Sequence, residues 1–427
     1  MPSANFLSIL REQREEIALI DKGNPLHREK ANEINLSSNL AQVITGIRRC
    51  GKSTLAHMML SGKDYAYVNF DDERLMSIDV NHLNDLLEVL YTVYGQFEYL
   101  FLDEIQNIEG WHLFVNRLLR KKIKIVLTGS NSKLLSREMA THLTGRYRNI
   151  ELFPYSFFEF LQAKNLEIRK FETAREKGLA LKYFEEYLHS GGMPEVVHGE
   201  EKSPYIRSLF EAIVTRDVFY RYEIRHTRTF REMALWLTGN FSKEISYNRM
   251  KNIFGLGSEN TAKNYLSYLE EAWLFVTLQK FSFKKQESMR YRKLYLADTS
   301  FASLSGESAS PDRGRLLENI VLLQLMRYRL SRQYEIFYYK DTVEVDFVIY
   351  SHRKVIELIQ VALSLDDQKT LRRETRALLA ANKALHADKH TIITLNHKED
   401  IVAGELSINV IPITEWLLET SGTNRSL

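Results

Sequence analysis

From Ala41 to about Glu151, short apolar runs alternate with stretches of helical period, the pattern of repeated βα units. The runs are Gln42-Val-Ile-Thr45, Tyr65-Ala-Tyr-Val-Asn-Phe70, Tyr99-Leu-Phe-Leu102, Ile123-Lys-Ile-Val-Leu-Thr128 and Arg148-Asn-Ile-Glu-Leu152. Five strands joined by crossovers predict a mostly parallel, covered sheet. From Tyr155 to about Gly239 the period becomes helical, interrupted at Gly191-Gly-Met-Pro194, as in a helical lid or connector. Residues Tyr247 to Asp298 predict two helices and then two strands around a basic tip. Ser305-Gly-Glu-Ser-Ala-Ser-Pro-Asp-Arg-Gly314 has linker composition. Beyond it the pattern predicts a helix from Leu316 to Leu330 and strands over Tyr334–Tyr339, Val343–Tyr350 and Val355–Ala362. A helix after Asp366 and a strand Thr391–Leu395 follow.

At 427 residues the chain exceeds what one hydrophobic core sustains, so two to four domains are expected. A 44% hydrophobic content with 7 Pro and 19 Gly excludes disorder and fibrous repeats. The net charge of +3 excludes a general coating of nucleic acid and leaves room for a local basic patch. A single cysteine, Cys50, excludes an internal disulfide and a thiolate zinc cluster. The amino terminus places charges where a signal peptide needs an apolar core, and no apolar stretch reaches membrane-span length. A cytoplasmic protein without membrane contact is expected.

Gly46-Ile-Arg-Arg-Cys-Gly-Lys-Ser53 stands between a predicted strand and a predicted helix, Ser53 to Leu60. It has the spacing of a phosphate-binding loop. Glycines at 46 and 51 let successive N–H groups turn inward to phosphate oxygens, aided by the helix dipole. Gly46, Ile47, Arg48, Arg49, Cys50, Gly51, Lys52, Ser53 and Thr54 form the candidate binding stretch. Lys52 would charge-pair with the β and γ phosphates, and the Ser53 hydroxyl would ligate Mg²⁺.

Tyr99-Leu-Phe-Leu-Asp103-Glu104 delivers two carboxylates at the end of an apolar strand. Asp103 would hold the metal, and Glu104 would orient or deprotonate the attacking water. The intervening strand, Tyr65 to Phe70, matches the phosphate-loop branch that carries a catalytic glutamate. Val126-Leu-Thr-Gly-Ser-Asn-Ser132 ends another strand in polar groups, of which Asn131 or Ser130 could sense the γ-phosphate. Arg146 is either a finger for a neighbouring subunit's site or a surface arginine.

These motifs, with Leu127-Thr-Gly-Ser-Asn131, Leu143-Thr-Gly-Arg-Tyr147 and Pro154-Tyr-Ser-Phe-Phe-Glu-Phe160, resemble the AAA-type ATPases of bacteria and archaea with a carboxy-terminal domain of unknown function, DUF4143. Ser190-Gly-Gly-Met-Pro-Glu195, Thr215-Arg-Asp-Val218 and Glu344-Val-Asp-Phe-Val348 are similar to that second domain, as is the stretch from Asn264 to Leu274. The resemblance implies an α/β chain in four parts: a P-loop ATPase domain (1–160), a helical connector (161–240), a winged helix (241–304) and a restriction-endonuclease-like domain (311–427). It implies ATP as the nucleotide.

Ser258 to Trp273 carries apolar residues at 262, 265, 266, 269, 272 and 273, one face of a helix capped by Ser258. With Ile245 to Phe254 and the turn Gly255-Leu-Gly257 it reads as a helix-turn-helix. Asn260, Lys263, Asn264 and Ser267 are the outward candidates for double-stranded DNA. Lys284, Lys285, Arg290, Arg292 and Lys293, against Glu287, form the basic tip that would meet phosphate. The competing reading is a module packed between domains, since the helix also carries Glu259, Glu270 and Glu271.

Glu318 and Asp346 stand where a PD-(D/E)XK nuclease carries metal-binding acids. Gln360 replaces the third acid and Ala362 the lysine, so cleavage is not expected. Strand alternation puts Glu357 on the opposite face from Gln360 unless a bulge intervenes. The expected protein is a Mg²⁺-dependent ATPase whose nucleotide state moves DNA- or protein-binding terminal domains. The alternatives are a nucleotide-gated interaction module with little turnover, self-association included, or a DNA-cleaving enzyme.

Overall fold

The computed structural model describes residues 2–22, 25–131, 143, 145–166, 173–283, 291–306 and 312–421. The chain divides into two compact units, one reaching Leu152 and including Glu271–Trp273, the other formed by Phe153–Glu270 and the residues from Leu274 on. The class is α/β, with one parallel and one mixed sheet.

In the first unit the apolar runs become β1 (Ala41–Thr45), β2 (Tyr65–Asn69), β3 (Tyr99–Asp103), β4 (Lys124–Gly129) and β5 (Tyr147–Glu151). All pairs are parallel, in the order β2-β3-β4-β1-β5. β4 therefore lies between the phosphate-loop strand and the carboxylate strand, and β2, which intervenes in sequence, takes the edge. β1 and β3 are buried along their whole length, which is why they are continuous apolar runs rather than alternating ones.

Helices α1 (Pro2–Lys22), α2 (Lys52–Leu60), α3 (Leu83–Tyr94) and α4 (Trp111–Arg120) flank the sheet. The charged α1 was not anticipated from sequence. It inserts Phe6, Ile9 and Leu10 into the core beside Leu86 and Leu90. Its buried Gln13 amide also serves the edge strand: Nε2 donates to Asn69 O at 3.1 Å, and Oε1 accepts from Asn69 N at 3.0 Å.

In the second unit, helices Phe157–Ala163 and Ala174–Ser190 each begin with a reciprocal capping box, Ser156 with Glu159 and Thr173 with Glu176. The motif Thr215-Arg-Asp-Val218 lies in a π-helical segment, Ile213–Phe219. The helices Tyr247–Phe254 and Glu259–Glu271 precede the hairpin β7 (Phe275–Lys280) and β8 (Arg292–Leu296), with β6 (Lys243–Ile245) pairing on β8.

Helix Arg313–Tyr328 leads to the antiparallel meander β9 (Glu335–Lys340), β10 (Glu344–Ser351) and β11 (Lys354–Val361). Helix Gln368–Leu385 then returns to β12 (Lys389–Thr394), parallel to β11. β13 (Glu399–Ala403), β14 (Leu406–Pro412) and helix Ile413–Thr420 finish the unit. All nine strands belong to one sheet, β13-β14-β12-β11-β10-β9-β7-β8-β6, so hairpin and meander share a hydrogen-bonded surface through β7 and β9.

His57 on α2 is fully buried against Tyr67 and Phe101, with ring centroids 4.6 and 4.9 Å away. Burial pulls its pKa down from 6.5 to about 4. The folded state thus binds fewer protons there than the unfolded chain. The stabilisation is complete above about pH 6.5 and is lost as pH falls toward 4, approaching about 3 kcal/mol. Urea denaturation at pH 7 and pH 4 should show a pH loss smaller by about that amount in His57→Phe; equal losses in both proteins would overturn the assignment.

Candidate phosphate-loop site

The loop between β1 and α2 is shaped by close approach. A Cβ on Gly46 would lie 2.1 Å from the Leu152 carbonyl oxygen, a backbone atom that cannot yield. Gly51 sits at φ +94°, and Arg49 also takes a left-handed conformation. The buried Cys50 thiol donates to Leu152 O at 3.3 Å, and burial raises its pKa. Its carbonyl accepts from the buried Arg28 guanidinium at 2.8 Å. Arg48 reaches out to Asp71 at 3.2 Å. Ile47 is buried, and Thr54 is half-buried on the first turn of α2.

Lys52, 5% exposed, donates to Ile47 O at 3.2 Å and lies 3.6 Å from Glu104 Oε1. Beside it, Asp103 gathers hydroxyls from three elements. Ser53 Oγ donates to Oδ1 at 3.0 Å, Thr128 Oγ1 donates to the same oxygen, and Tyr67 OH donates to Oδ2 at 3.2 Å. Burial, then the neighbouring Glu104 charge, push the Asp103 pKa up to about 6. Burial also acts to raise Glu104, but Lys52, Gln106 and Arg48 outweigh it and hold that carboxyl below its ordinary value. The two adjacent carboxyls are thus driven apart, one toward the neutral form and one toward the anion.

Glu104 Oε2 accepts from Gln106 Nε2 and, at 3.1 Å, from Ser130 N. Ser130 therefore enters through its backbone rather than its hydroxyl, and Asn131 beside it is fully buried. Arg146 is exposed just before β5, near Asn116. Because β5 runs parallel to β1 with Tyr147 opposite Ala41, Arg146 lies a strand's length, roughly 15 Å, from its own chain's phosphate loop.

A second polar cluster lies in the other unit. Lys293 Nζ stands 2.8 Å from Glu318, 3.0 Å from Glu344 and 3.4 Å from Asp346. This corrects the reading of Lys293 as a phosphate contact at an exposed tip: it is 4% exposed and faces carboxylates of the helix Arg313–Tyr328 and of β10. Lys284, Lys285, Glu287 and Arg290 lie outside the described residues. Burial alone would lower Lys293, but Asp346, Glu318 and Glu344 outweigh it and keep the ammonium charged. Burial and Asp346 raise Glu318 to about 7, against Lys293 and the Tyr295 hydroxyl that donates to it at 2.6 Å.

Gln360 accepts from Asp346 N at 2.9 Å and donates to Glu374 Oε2 at 2.8 Å. A register shift does occur at Ile349/Tyr350, yet Glu357 remains apart from the cluster, accepting from Thr391 at 2.5 Å.

Residues 38–161 match the AAA domain, residues 181–310 a domain of unknown function (DUF8612), and residues 313–416 a second one, DUF4143. An uncharacterized protein of Methanocaldococcus jannaschii is 35% identical over 404 residues, 90% of either chain. The chain belongs to this family, an AAA domain joined to a DUF4143 domain. An uncharacterized Haemophilus influenzae protein is 28% identical over 407 residues, covering 90% of this chain and 95% of its own. Among solved structures, the Walker-type ATPase of Pyrococcus abyssi aligns with 65% of this chain and 94% of its own at 14% identity and a TM-score of 0.39. AMPPCP-bound DnaA from Aquifex aeolicus aligns with 57% and 86% at 18% identity and a TM-score of 0.27. Likenesses this distant carry no argument about the chemistry of this AAA–DUF4143 chain.

Sequence reading missed Arg28, Tyr67, Gln106 and Thr128 in the first unit. Leu102 pairs with Leu127 and Asn69 with Asp103, so Tyr67 and Thr128 meet Asp103 only through strand register. Gln106 was legible as a polar residue two positions past the carboxylates. In the second unit, Lys293→Met should cost about 3–5 kcal/mol in urea denaturation, since it strands largely buried carboxylates. Adding Glu318→Gln should recover part of the loss; an unchanged midpoint in Lys293→Met would remove the ion cluster from the fold's energetics.

Proposed function

We propose that this protein is a Mg²⁺-dependent ATPase whose nucleotide state moves DNA- or protein-binding elements of its terminal segments. The observation that carries the reading is the juxtaposition, at the mouth of a glycine-bracketed loop, of Lys52 with Glu104 at 3.6 Å and of Ser53 with Asp103 at 3.0 Å. One charged pair suits phosphate binding and water activation, and the other suits a hard cation. The Ser53 hydroxyl and the Asp103 carboxylate offer oxygen donors of the kind Mg²⁺ takes. Bound there, the ion would neutralise charge developing on the β and γ phosphates.

The chain's own groups supply the rest. Lys52 turns from Ile47 O to the phosphates, which are stronger, charge-assisted acceptors. Glu104, held as the anion by its neighbours, takes the proton of the attacking water. Asn131, at the end of the strand next to Asp103, is the γ-phosphate sensor. Arg146, exposed and distant from its own loop, serves a neighbouring copy's site if it serves any.

In the terminal segments, the order helix, three antiparallel strands, helix and parallel strand supports a nuclease-like shape. Lys293 among the acids, and Gln360 tied to Glu374, favour a binding scaffold over cleavage. Asn260, Lys263 and Asn264 are exposed on helix Glu259–Glu271, and Ser267 is half-buried, which supports the winged-helix reading with duplex DNA as its partner.

Lys52→Ala should abolish nucleotide binding and turnover. Glu104→Gln should keep ATP affinity within a few-fold while lowering kcat by about 100-fold or more, read by calorimetry and phosphate release. Undiminished turnover in Glu104→Gln would remove Glu104 as the base, and no phosphate release from the wild type would end the ATPase reading. Duplex DNA titrated between 50 and 200 mM salt should weaken log-linearly, and Lys263→Ala should reduce the slope by about 1 if that residue meets phosphate.

A further inference from the structure

We propose that Gln106 is a positioning residue for the hydrolytic step: it fixes Oε2 of Glu104, so that nucleotide binding, by drawing Lys52 away, leaves Oε1 facing the attacking water. The proposal rests on the ATPase reading above and goes beyond it by separating the work of the two oxygens.

The two oxygens have different partners. Oε2 accepts from the Gln106 amide and from Ser130 N at 3.1 Å, and Oε1 faces Lys52 Nζ at 3.6 Å. The two anchors of Oε2 sit on fixed backbone. Ser130 directly follows β4. Gln106 is the middle residue of the 3-10 turn Ile105–Asn107, closed by Asn107 N donating to Glu104 O at 3.1 Å. The partner of Oε1 is a long side chain that the proposed reaction itself moves. A triphosphate in the loop gives the Lys52 ammonium charged acceptors, and Oε1 is then the oxygen released.

Two observations mark this arrangement as built for the carboxylate rather than for stability. Glu104 takes a left-handed conformation, φ 52°, which costs a non-glycine residue on the order of 1 kcal/mol and persists only where the surroundings hold it. Gln106 is 8% exposed, and its Oε1 is buried without a hydrogen-bond partner among the described residues. An orphaned buried acceptor costs about 1–3 kcal/mol. An apolar side chain of equal length would fill this space without that cost, so what the amide adds is its donor to Glu104. Anchoring one oxygen halves the orientations open to the carboxylate and keeps the base aimed when its cationic partner leaves.

Gln106→Met preserves length and removes the donor, and Gln106→Leu removes it at similar volume. In the full-length protein both should bind ATP with Kd within about 2-fold of wild type, melt at an unchanged temperature, and lose kcat by about 10- to 100-fold with KM unmoved. Wild-type kcat in Gln106→Met, with Glu104→Gln inactive, would overturn the positioning role and leave the ATPase reading standing. A parallel fall of affinity and melting temperature in both variants would also overturn it, because Gln106 would then be structural. Wild-type turnover in Glu104→Gln would remove Glu104 as the base and overturn the proposal with it, whereas only the absence of phosphate release from the wild type would defeat the parent reading.

Discussion

A carboxylate buried at the end of a strand has to be surrounded by donors, and Asp103 meets that demand with hydroxyls from three different elements. Ser53 comes from the start of α2, Thr128 from β4 and Tyr67 from β2. Asp103 thereby ties the phosphate loop to strands on both sides of β3. Thr128 extends the tie, because its oxygen also accepts from the Glu104 backbone N–H at 3.1 Å. The loop, Asp103 and Glu104 thus form one hydrogen-bonded assembly, in which displacing any member disturbs the others. The strand order makes this possible: with β4 between β1 and β3, the ends of three neighbouring parallel strands open on the same side of the sheet.

Much of this assembly could be read from the chain because its parts are local. A buried parallel strand must be apolar along its length, and a loop that approaches another backbone within the reach of a Cβ must carry glycine, so the runs at β1 to β5 and Gly46 appear in sequence as such. Tyr67, Thr128 and Arg28 could not be read, because nothing near them in sequence says which strand lies beside which. Helix α1 escaped for another reason. Its buried positions, Phe6, Ile9, Leu10, Gln13 and Ile17, are spaced among charged residues, and one of them is itself polar.

In the second unit the meander and the helices around it followed their periodicity, while β13, β14 and the helix Ile413–Thr420 were not anticipated, β13 because its residues are largely solvent-exposed. Lys293 is the instructive misreading. Five basic residues within ten positions look like a solvated tip, yet β8 pairs with β7 so that Lys293 lies opposite Leu278 and its side chain is drawn to an acid of the helix Arg313–Tyr328 and to those of β10. The attraction of Glu318, Glu344 and Asp346 outweighed the cost of burying an ammonium, a long-range fact that local composition cannot carry.

The seam between β7 and β9 has a consequence for how such a protein can be taken apart or recombined. It consists of Gln279 opposite Phe337 and Lys280 opposite Tyr338, extended by Phe281 N donating to Tyr338 O at 2.6 Å. Tyr338 OH and Lys340 Nζ also reach Glu244, at 2.8 and 2.9 Å. Ser305 to Gly314 has linker composition, but cutting there would strip two strands of their neighbours and leave raw edges prone to pair with other chains. Shuffling at that point would trade one continuous sheet for two adhesive halves. Gene fusions that respect the molecule must carry residues 243 to 412 as a single block.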